Sequence, residues 1–196
     1  MPRLLTIILM LLSINTAFAQ KPKDTLIYNL PVVNDKLTYQ GNCTVNGKSR
    51  LVLENSTKNW FSSYFKGNDL GEPFTPFITI SHDTSSFLLT RGVLEYKVKP
   101  GMVNINFVAL IRIKVVCTDN HYSYKIDSIL FRPKNNTLSQ IGYENDPNYL
   151  ISIYKRKHLG LSTAWEVSRG QIREYLAKMN SAVRDCIASL NKAMAN

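Results

Sequence analysis

Residues 103–117 constrain the fold more than any other stretch of the chain. Their odd positions are apolar throughout and read Val, Ile, Phe, Ala, Ile, Ile, Val and Cys, whereas their even positions include Asn106, Arg112 and Lys114. Alternation over this length predicts a β-strand with one face in a core and the other partly in water. A one-residue shift in pairing would bury Arg112 and Lys114, so the register is strongly specified.

This strand runs into a turn and returns as a hairpin. Residues 118–121 read Thr-Asp-Asn-His, and both Asp and Asn tolerate the backbone conformations that tight turns need. Residues 122–131 are predicted to form the returning strand. Tyr122 and Tyr124 share one face of it.

Four further segments complete the predicted sheet and its first helix. Residues 37–45 alternate like a half-buried strand, and residues 49–66 place apolar side chains at helical spacing. Residues 74–81 contain Pro76 and directly follow Pro73, which favours a short or edge strand. Residues 87–98 predict another strand, in which Gly92 marks a bulge or a close approach of a neighbouring group.

A long amphipathic helix is predicted at the C-terminal end, over residues 169–195. Its apolar residues repeat at helical spacing, and the stripe could either cover the sheet or seat a partner helix. Residues 133–168 predict an irregular connection. Strands and helices segregate along the chain, so the fold class is α+β with an antiparallel sheet and not an alternating βαβ fold. The stripe includes Ile172, Met179, Val183, Ile187 and Leu190.

The order of these elements carries a resemblance. The first helix ends in Trp60-Phe61-x-x-Tyr64-Phe65, a strand with a central Gly92 follows, and the long strand leads into Asp119-Asn120-His121-Tyr122-Ser123-Tyr124. The pattern resembles an exported bacterial family of unknown function with a predicted TATA-binding-protein-like (TBP-like) fold. In that family the hairpin reads Asp-Gly-(Lys/Arg)-Tyr-Arg-Tyr, so Asn120, His121 and Ser123 depart from it.

The resemblance covers residues 35–132. It implies a curved antiparallel sheet packed by helices, and it carries no catalytic residue over to this chain. The resulting division is a TBP-like domain at 35–132, the connection at 133–168 and the C-terminal helix at 169–195.

The N-terminus has the layout of a secretory signal peptide. Arg3 gives a positive start, an apolar run follows to Leu12, and Ala17-Phe18-Ala19 is a small-x-small cleavage site. Cleavage near Ala19 would leave an extended lead-in at residues 20–34 and a periplasmic or secreted protein. The apolar run is shorter than the roughly 20 residues that span a bilayer, and no later segment is long and apolar enough, so the protein is expected not to span a membrane.

The charge of the chain favours an anionic partner. The sequence has 24 Lys and Arg against 14 Asp and Glu, a formal net charge of +10. Residues 91–134 and residues 148–196 each hold eight bases and three acids, whereas residues 20–90 are near balance. The expected partner is an unknown envelope protein or an anionic surface polymer. Export argues against nucleic acid.

No motif in the sequence points to catalysis. Ser-x-x-Lys occurs at Ser63, Ser152 and Ser189, where chance alone gives about one match, and its partner motifs are absent. Residues 160–164 approach a nucleophile elbow, but a hydrolase of that kind needs a His after the Ser in the chain, and the last His is His158. His82, His121 and His158 lie far apart, without metal-site spacing.

We therefore predict a non-enzymatic binding or interaction module of the bacterial cell envelope, with no catalytic residue, metal site or cofactor. Two alternatives stay open. One is an assembly protein that oligomerises through the C-terminal helix, and the other is a hydrolase of an envelope substrate with a site built from loops.

Two groups of side chains are candidates for function. Aromatic and basic residues could form a recognition surface around the predicted hairpin, although tyrosines on a strand also serve as core packing. Cys43 and Cys117 fall on apolar strand positions, and they are either small buried residues or a disulfide in an oxidising compartment. The surface comprises Tyr122, Tyr124, Lys125, Arg112 and Lys114.

Overall fold

The computed structural model describes residues 25–65, 78–99, 104–134, 146–155 and 169–196. The helices are α1 (Thr25–Tyr28), α2 (Arg50–Tyr64), α3 (Pro147–Lys155) and α4 (Arg169–Ala195). The strands are β1 (Val32–Val33), β2 (Lys36–Leu37), β3 (Tyr39–Thr44), β4 (Ile78–Ser81), β5 (Ser86–Val98), β6 (Ile105–Thr118) and β7 (His121–Pro133). This arrangement confirms the predicted α+β class.

Five strands form one antiparallel sheet in the order β3-β7-β6-β5-β4, and β1 and β2 pair separately. The long alternating strand of the sequence is β6, at the centre of the sheet. Its Ile113 is fully buried and lies opposite Thr90 of β5 and Ile126 of β7. The odd positions of β6 thus face a core, as the alternation predicts.

Helices α2 and α4 cover one face of this sheet. Helix α2 begins where the side chain of Ser49 accepts a hydrogen bond from the backbone N–H of Val52 (3.4 Å), which satisfies one of the free donors of its first turn. The apolar stripe of α4 is buried against the sheet, so it covers the protein's own core. Its buried members include Ile172, Leu176, Met179, Val183, Cys186, Leu190 and Met194, whereas Ile187 is partly buried.

Gly92 marks a close approach and not a bulge. It pairs regularly with Ile111, and a Cβ atom added to it would lie 2.6 Å from Cζ of Phe65, just after α2. The ring of Phe65 therefore occupies the space that a side chain would take. The register shift of the sheet lies between β6 and β7, near Leu110 and Arg112.

The β6–β7 turn also fixes the start of α2. Asn120 adopts a left-handed conformation (φ 60°), as the sequence predicts for this turn. Its Oδ1 accepts a hydrogen bond from the N–H of Gly47 (2.7 Å), and Oδ1 of Asp119 accepts one from the N–H of Arg50 (2.7 Å). The hairpin turn thereby positions the segment that leads into the helix.

Two expectations about the connections need correction. The 133–168 segment contains a nine-residue helix, α3, which is too short to give a clear periodicity. The 20–34 lead-in is not simply extended, because it contains α1 and β1. The predicted signal peptide, residues 20–24, residues 74–77 and His158 lie outside the described residues.

Among the described helices, none is long and apolar enough to cross a membrane.

Candidate binding surface on the open sheet face

The sheet face opposite α2 and α4, here called the open face, carries the predicted basic residues. Arg112 and Lys114 occupy the even positions of β6, and Lys125 lies on β7 opposite Lys114. All three are exposed, and the side chains of Arg112 and Lys125 are each 48% accessible. The structure thus brings these three side chains together on one surface.

The two predicted tyrosines point to the other face. Tyr122 is only 1% exposed, and its hydroxyl donates a hydrogen bond to Oδ1 of Asn191 on α4 (2.7 Å). Tyr124 is partly buried against the core and lies over Gly41, where an added Cβ would be 2.6 Å from the tyrosine hydroxyl. This corrects the expectation of one shared surface. Tyr124 and Lys125 are consecutive strand residues, so their side chains point to opposite faces.

The open face opposes like charges at two neighbouring places. Lys114 lies directly across from Lys125, and Arg91 of β5 lies directly across from Arg112. We call these four residues the basic cluster. Like charges directly opposite one another destabilise a sheet, so the repulsion within the basic cluster lowers the stability of the fold.

Asp127 offsets part of that cost. Its carboxylate binds Nε of Arg112 (2.6 Å) and Nζ of Lys125 (3.2 Å). The hydrogen bond from Arg112, together with the one from Lys125, holds the pKa of Asp127 below its ordinary value despite partial burial. Four bases and one acid still leave three positive charges. Nζ of Lys114 lies 4.6 Å from the centre of the Phe87 ring, a cation–π contact.

A pocket of about 410 Å³ adjoins the basic cluster and opens to solvent. Amide, hydroxyl and ammonium groups at its wall can donate hydrogen bonds to an anion. The lining residues with such groups are Gln40 and Asn42 of β3, Lys114 of β6, and Ser123 and Lys125 of β7. Sequence reasoning missed Arg91, Gln40, Asn42 and Ser123, because only the register between strands places them beside Lys114 and Arg112.

The cysteines do not form the disulfide considered above. Cys43 and Cys117 are free, and both lie opposite Tyr122, one on each side of β7. Two strand spacings, about 9–10 Å, separate them, beyond the roughly 7 Å that a disulfide can bridge. Cys117 is fully buried and Cys43 partly so, which agrees with the first reading, of small packed residues. Burial raises the pKa of Cys186 to about 12.

The one buried carboxylate among the described acids serves the fold. Glu54 of α2 forms ion pairs with Arg50 (3.2 Å) and Lys58 (2.5 Å), and it accepts hydrogen bonds from Ser81 of β4 and Ser86 of β5. Burial alone would raise the pKa of Glu54, but the hydrogen bonds from Lys58 and both serines lower it below its ordinary value. These contacts tie α2 to the β4–β5 hairpin.

The described residues contain no group of three or more His, Cys, Asp or Glu side chains that could hold a metal ion. His82 is exposed and His121 is partly buried. They stand in the β4–β5 connection and at the first position of β7, respectively.

Two solved structures share this fold. One is a DUF4468 family protein from Bacteroides ovatus, with a TM-score of 0.60, 14% identity, and coverage of 90% of this chain and 97% of that chain. The other is a TBP-like protein from Parabacteroides distasonis, with a TM-score of 0.54, 14% identity, and coverage of 85% and 97%. No family model and no curated protein matches the sequence. The likeness confirms the predicted TBP-like fold.

Proposed function

We propose that this protein is an exported, non-enzymatic binding module of the bacterial cell envelope, and that the basic cluster on its open face binds an anionic partner. The observation that carries the proposal is the direct opposition of Lys114 to Lys125 and of Arg91 to Arg112. Asp127 leaves three of the four positive charges uncompensated.

An anionic partner would remove the cost of this arrangement. Its charges would lie between bases that otherwise repel one another, and the favourable field would also raise the rate of encounter. The cluster lies on the three central strands β7, β6 and β5, each of which is paired on both sides. The pairing sets the spacing of the backbone positions that carry the bases before the partner arrives.

The shape of the site favours an extended partner. The basic cluster lies on a sheet surface, and the adjoining pocket opens to solvent and does not enclose its contents. An anionic surface polymer or the acidic face of an envelope protein can contact such a surface along its length. Gln40, Asn42 and Ser123 would add hydrogen bonds to the oxygens of the anion.

Binding to two model polyanions tests the proposal. Polyglutamate presents carboxylates and polyphosphate presents phosphates, so the pair also separates the two kinds of anion. We expect the double variant Lys114→Gln/Lys125→Gln to bind at least one of them about tenfold more weakly, a loss of about 1.4 kcal/mol. The matched control Lys178→Gln/Lys192→Gln removes two exposed charges from α4 and should change the affinity by less than about twofold.

Equal losses in the two double variants would show that only net charge matters, and this would overturn a site on the open face. Absence of binding to both polyanions in the unmodified protein would overturn the proposal of an anionic polymer as partner. Salt dependence is expected in every binding case, because exposed charges are screened over about 8–10 Å.

Export is the second part of the proposal, and it depends on the first 19 residues. Expressed in a bacterial host, the full chain should be recovered from the periplasm or medium with Gln20 as its first residue. Intact mass measurement of the fractionated protein checks this. A full-length product that stays with the cytoplasmic fraction would contradict it.

No observation favours either of the two alternatives, an assembly protein or a hydrolase. Assembly through the apolar stripe of α4 conflicts with the burial of that stripe against the sheet. For a hydrolase, the buried Glu54 would be the nearest candidate acid, but its oxygens are engaged by Arg50, Lys58 and two serines.

A further inference from the structure

Within the described residues, strand β3 forms one edge of the sheet and carries none of the residues that usually protect an edge. Its residues, Tyr-Gln-Gly-Asn-Cys-Thr, include no charge and no proline, and its pairing with β7 is regular. Proteins commonly block edges with charges, prolines or bulges, because a free edge can pair with another chain. An edge without these features is suited to strand addition.

The hydrogen-bond phase of β3 shows which backbone groups face outward. The N–H of Val45 donates to the carbonyl oxygen of Asn120 on the β7 side (2.8 Å). In an antiparallel pair the inward and outward positions alternate, so Cys43, Gly41 and Tyr39 also face β7. The N–H and C=O groups of Gln40, Asn42 and Thr44 therefore point away from the sheet, and in the described part of the chain no strand pairs with them.

A groove of about 320 Å³ runs between this edge and α4. Its apolar wall can accept one side chain of an added strand, and polar groups lie at its rim. The lining residues are Pro31, Tyr39, Gln40, Tyr124, Arg184, Ile187, Ala188 and Asn191. The volume is near the lower end of small-ligand pockets, about 300–1,000 Å³.

Arg184 gives this groove its charge. Its Nε makes one long hydrogen bond to Oδ1 of Asn180 (3.4 Å), an oxygen that already accepts a shorter bond from the hydroxyl of Tyr39 (2.8 Å). Burial raises the pKa of Tyr39 and of Tyr124, and the positive charge of Arg184 opposes both shifts. The guanidinium thus lies near both tyrosines, with no described carboxylate within ion-pair distance.

We propose that an extended acidic peptide segment of a partner protein adds as a strand to the outer edge of β3. Its backbone pairs with Gln40, Asn42 and Thr44, one of its side chains enters the groove, and its carboxylate binds Arg184. The groove and Arg184 lie on the helix side of the sheet, away from the four bases of the basic cluster, although Gln40 lines both pockets. Strand addition supplies affinity through the main chain, and the groove supplies specificity.

Charge favours this occupant over a second copy of the chain. The edge that a second copy would offer, residues 39–44, contains no acid, and the nearest charges on either side are Lys36 and Lys48. A second copy paired through β3 would thus leave Arg184 without a carboxylate from the paired strands. An acidic peptide provides one.

Selection from a random peptide library displayed on phage tests the site, with residues 20–196 as the immobilised protein. We expect enriched peptides that alternate apolar and polar residues and share an acid. Synthetic copies should bind the Arg184→Glu variant at least about tenfold more weakly, and the Lys114→Gln/Lys125→Gln variant about equally. Failure to enrich, enrichment without a shared acid, or indifference to Arg184→Glu would overturn the proposal.

A proline substitution in β3 distinguishes pairing of the peptide backbone with the edge from binding of a side chain in the groove alone. Asn42→Pro removes an outward N–H and should abolish binding, whereas Asn42→Ala should retain it. If the proline variant does not fold, peptides methylated at alternate backbone nitrogens give the same information, because only one of the two phases should lose binding. An equal loss of binding for both sets of methylated peptides would contradict strand addition. A protein that sediments as a dimer, and becomes a monomer with Asn42→Pro, would show that a second copy and not a peptide occupies the edge.

Discussion

The two faces of the sheet differ sharply in character, since one is apolar and buried and the other is basic and exposed. On the helix side, Ile113 and Val115 are fully buried beneath α2 and α4. On the open face, Arg112 and Lys114 alternate with them along the same strand and lie among other bases. Burial stabilises the first face by about 25 cal/mol per Å² of apolar surface, whereas opposed like charges weaken the second.

This contrast separates what stabilises the fold from what is available for recognition. The helix side also engages tyrosine hydroxyls of the sheet, since Tyr122 donates a hydrogen bond to Asn191 and Tyr39 donates one to Asn180. The open face keeps its bases exposed, and Asp127 compensates only one of four positive charges there. Changes on one face should therefore act on stability, and changes on the other on binding.

The largest expected effect is on the buried side of β6. Ile113→Ala should lower the free energy of unfolding by about 2–5 kcal/mol, because it removes a fully buried side chain and leaves a cavity. Chemical denaturation measures it. Lys114→Ala, one residue away, is the matched control, and a comparable loss there would break the contrast between the faces.

The second effect concerns Glu54, whose contacts hold α2 to the β4–β5 hairpin. Glu54→Gln should lower the free energy of unfolding by about 1–3 kcal/mol at neutral pH, since it weakens hydrogen bonds to a buried charged group. Denaturation at pH 7 checks the magnitude.

Glu54 also sets a pH dependence with a defined sign. Because its folded-state pKa lies below the ordinary value of 4.5, its contribution is complete above that value and is lost as pH falls through the folded-state pKa. The unmodified protein should therefore lose stability more steeply than Glu54→Gln below about pH 4.5. Parallel curves would show that Glu54 is not stabilised as a carboxylate.

A third substitution sharpens the placement of the tyrosines. Tyr122→Phe removes a buried hydroxyl that bonds Asn191, and it should cost about 0.5–1.5 kcal/mol. Tyr124→Phe removes a hydroxyl at the rim of the β3 groove and should cost less. Chemical denaturation measures both losses. A larger loss for Tyr124→Phe than for Tyr122→Phe would contradict the placement of Tyr122 on the buried, helix side of the sheet.

The smallest effect on stability is expected in the basic cluster itself. Lys114→Gln removes one member of an opposed pair, so the free energy of unfolding should stay within about 0.5 kcal/mol or rise slightly. Melts at low and high salt measure it, and any gain should shrink as salt rises. A clear loss of stability in Lys114→Gln at low salt would mean that Lys114 stabilises the fold. This would contradict the idea that the opposed bases destabilise the sheet and serve binding.

The sequence was sufficient to predict α2, α4, the five strands of the main sheet and the two sides of β6. Alternation in β6 identified its buried side and the exposure of Arg112 and Lys114, because side-chain direction within a strand depends only on local periodicity. The turn at Asn120 followed from residue type. At Gly92 the residue type left a bulge and a close approach open, and the structure shows the close approach. Helix α3 was not predicted, since nine residues give too few repeats.

The candidate site needed information that one strand does not contain. Arg91 lies opposite Arg112, and Gln40 opposite Lys125, only because of the register between neighbouring strands. The five predicted recognition residues belong to the two strands of one hairpin, but Tyr124 and Lys125 are consecutive in β7 and therefore face opposite ways. That the uncharged strand β3 is an edge strand follows only from the strand order, in which β3 lies outside β7.

The most direct test of the account is a titration of isotopically labelled protein with polyphosphate, followed by NMR. The side-chain nitrogen resonances of Arg and Lys report the site of contact. We expect shifts that concentrate on Arg91, Arg112, Lys114 and Lys125 and saturate together. Shifts spread evenly over the bases of both faces, or centred on Arg184, would contradict a binding surface on the open face.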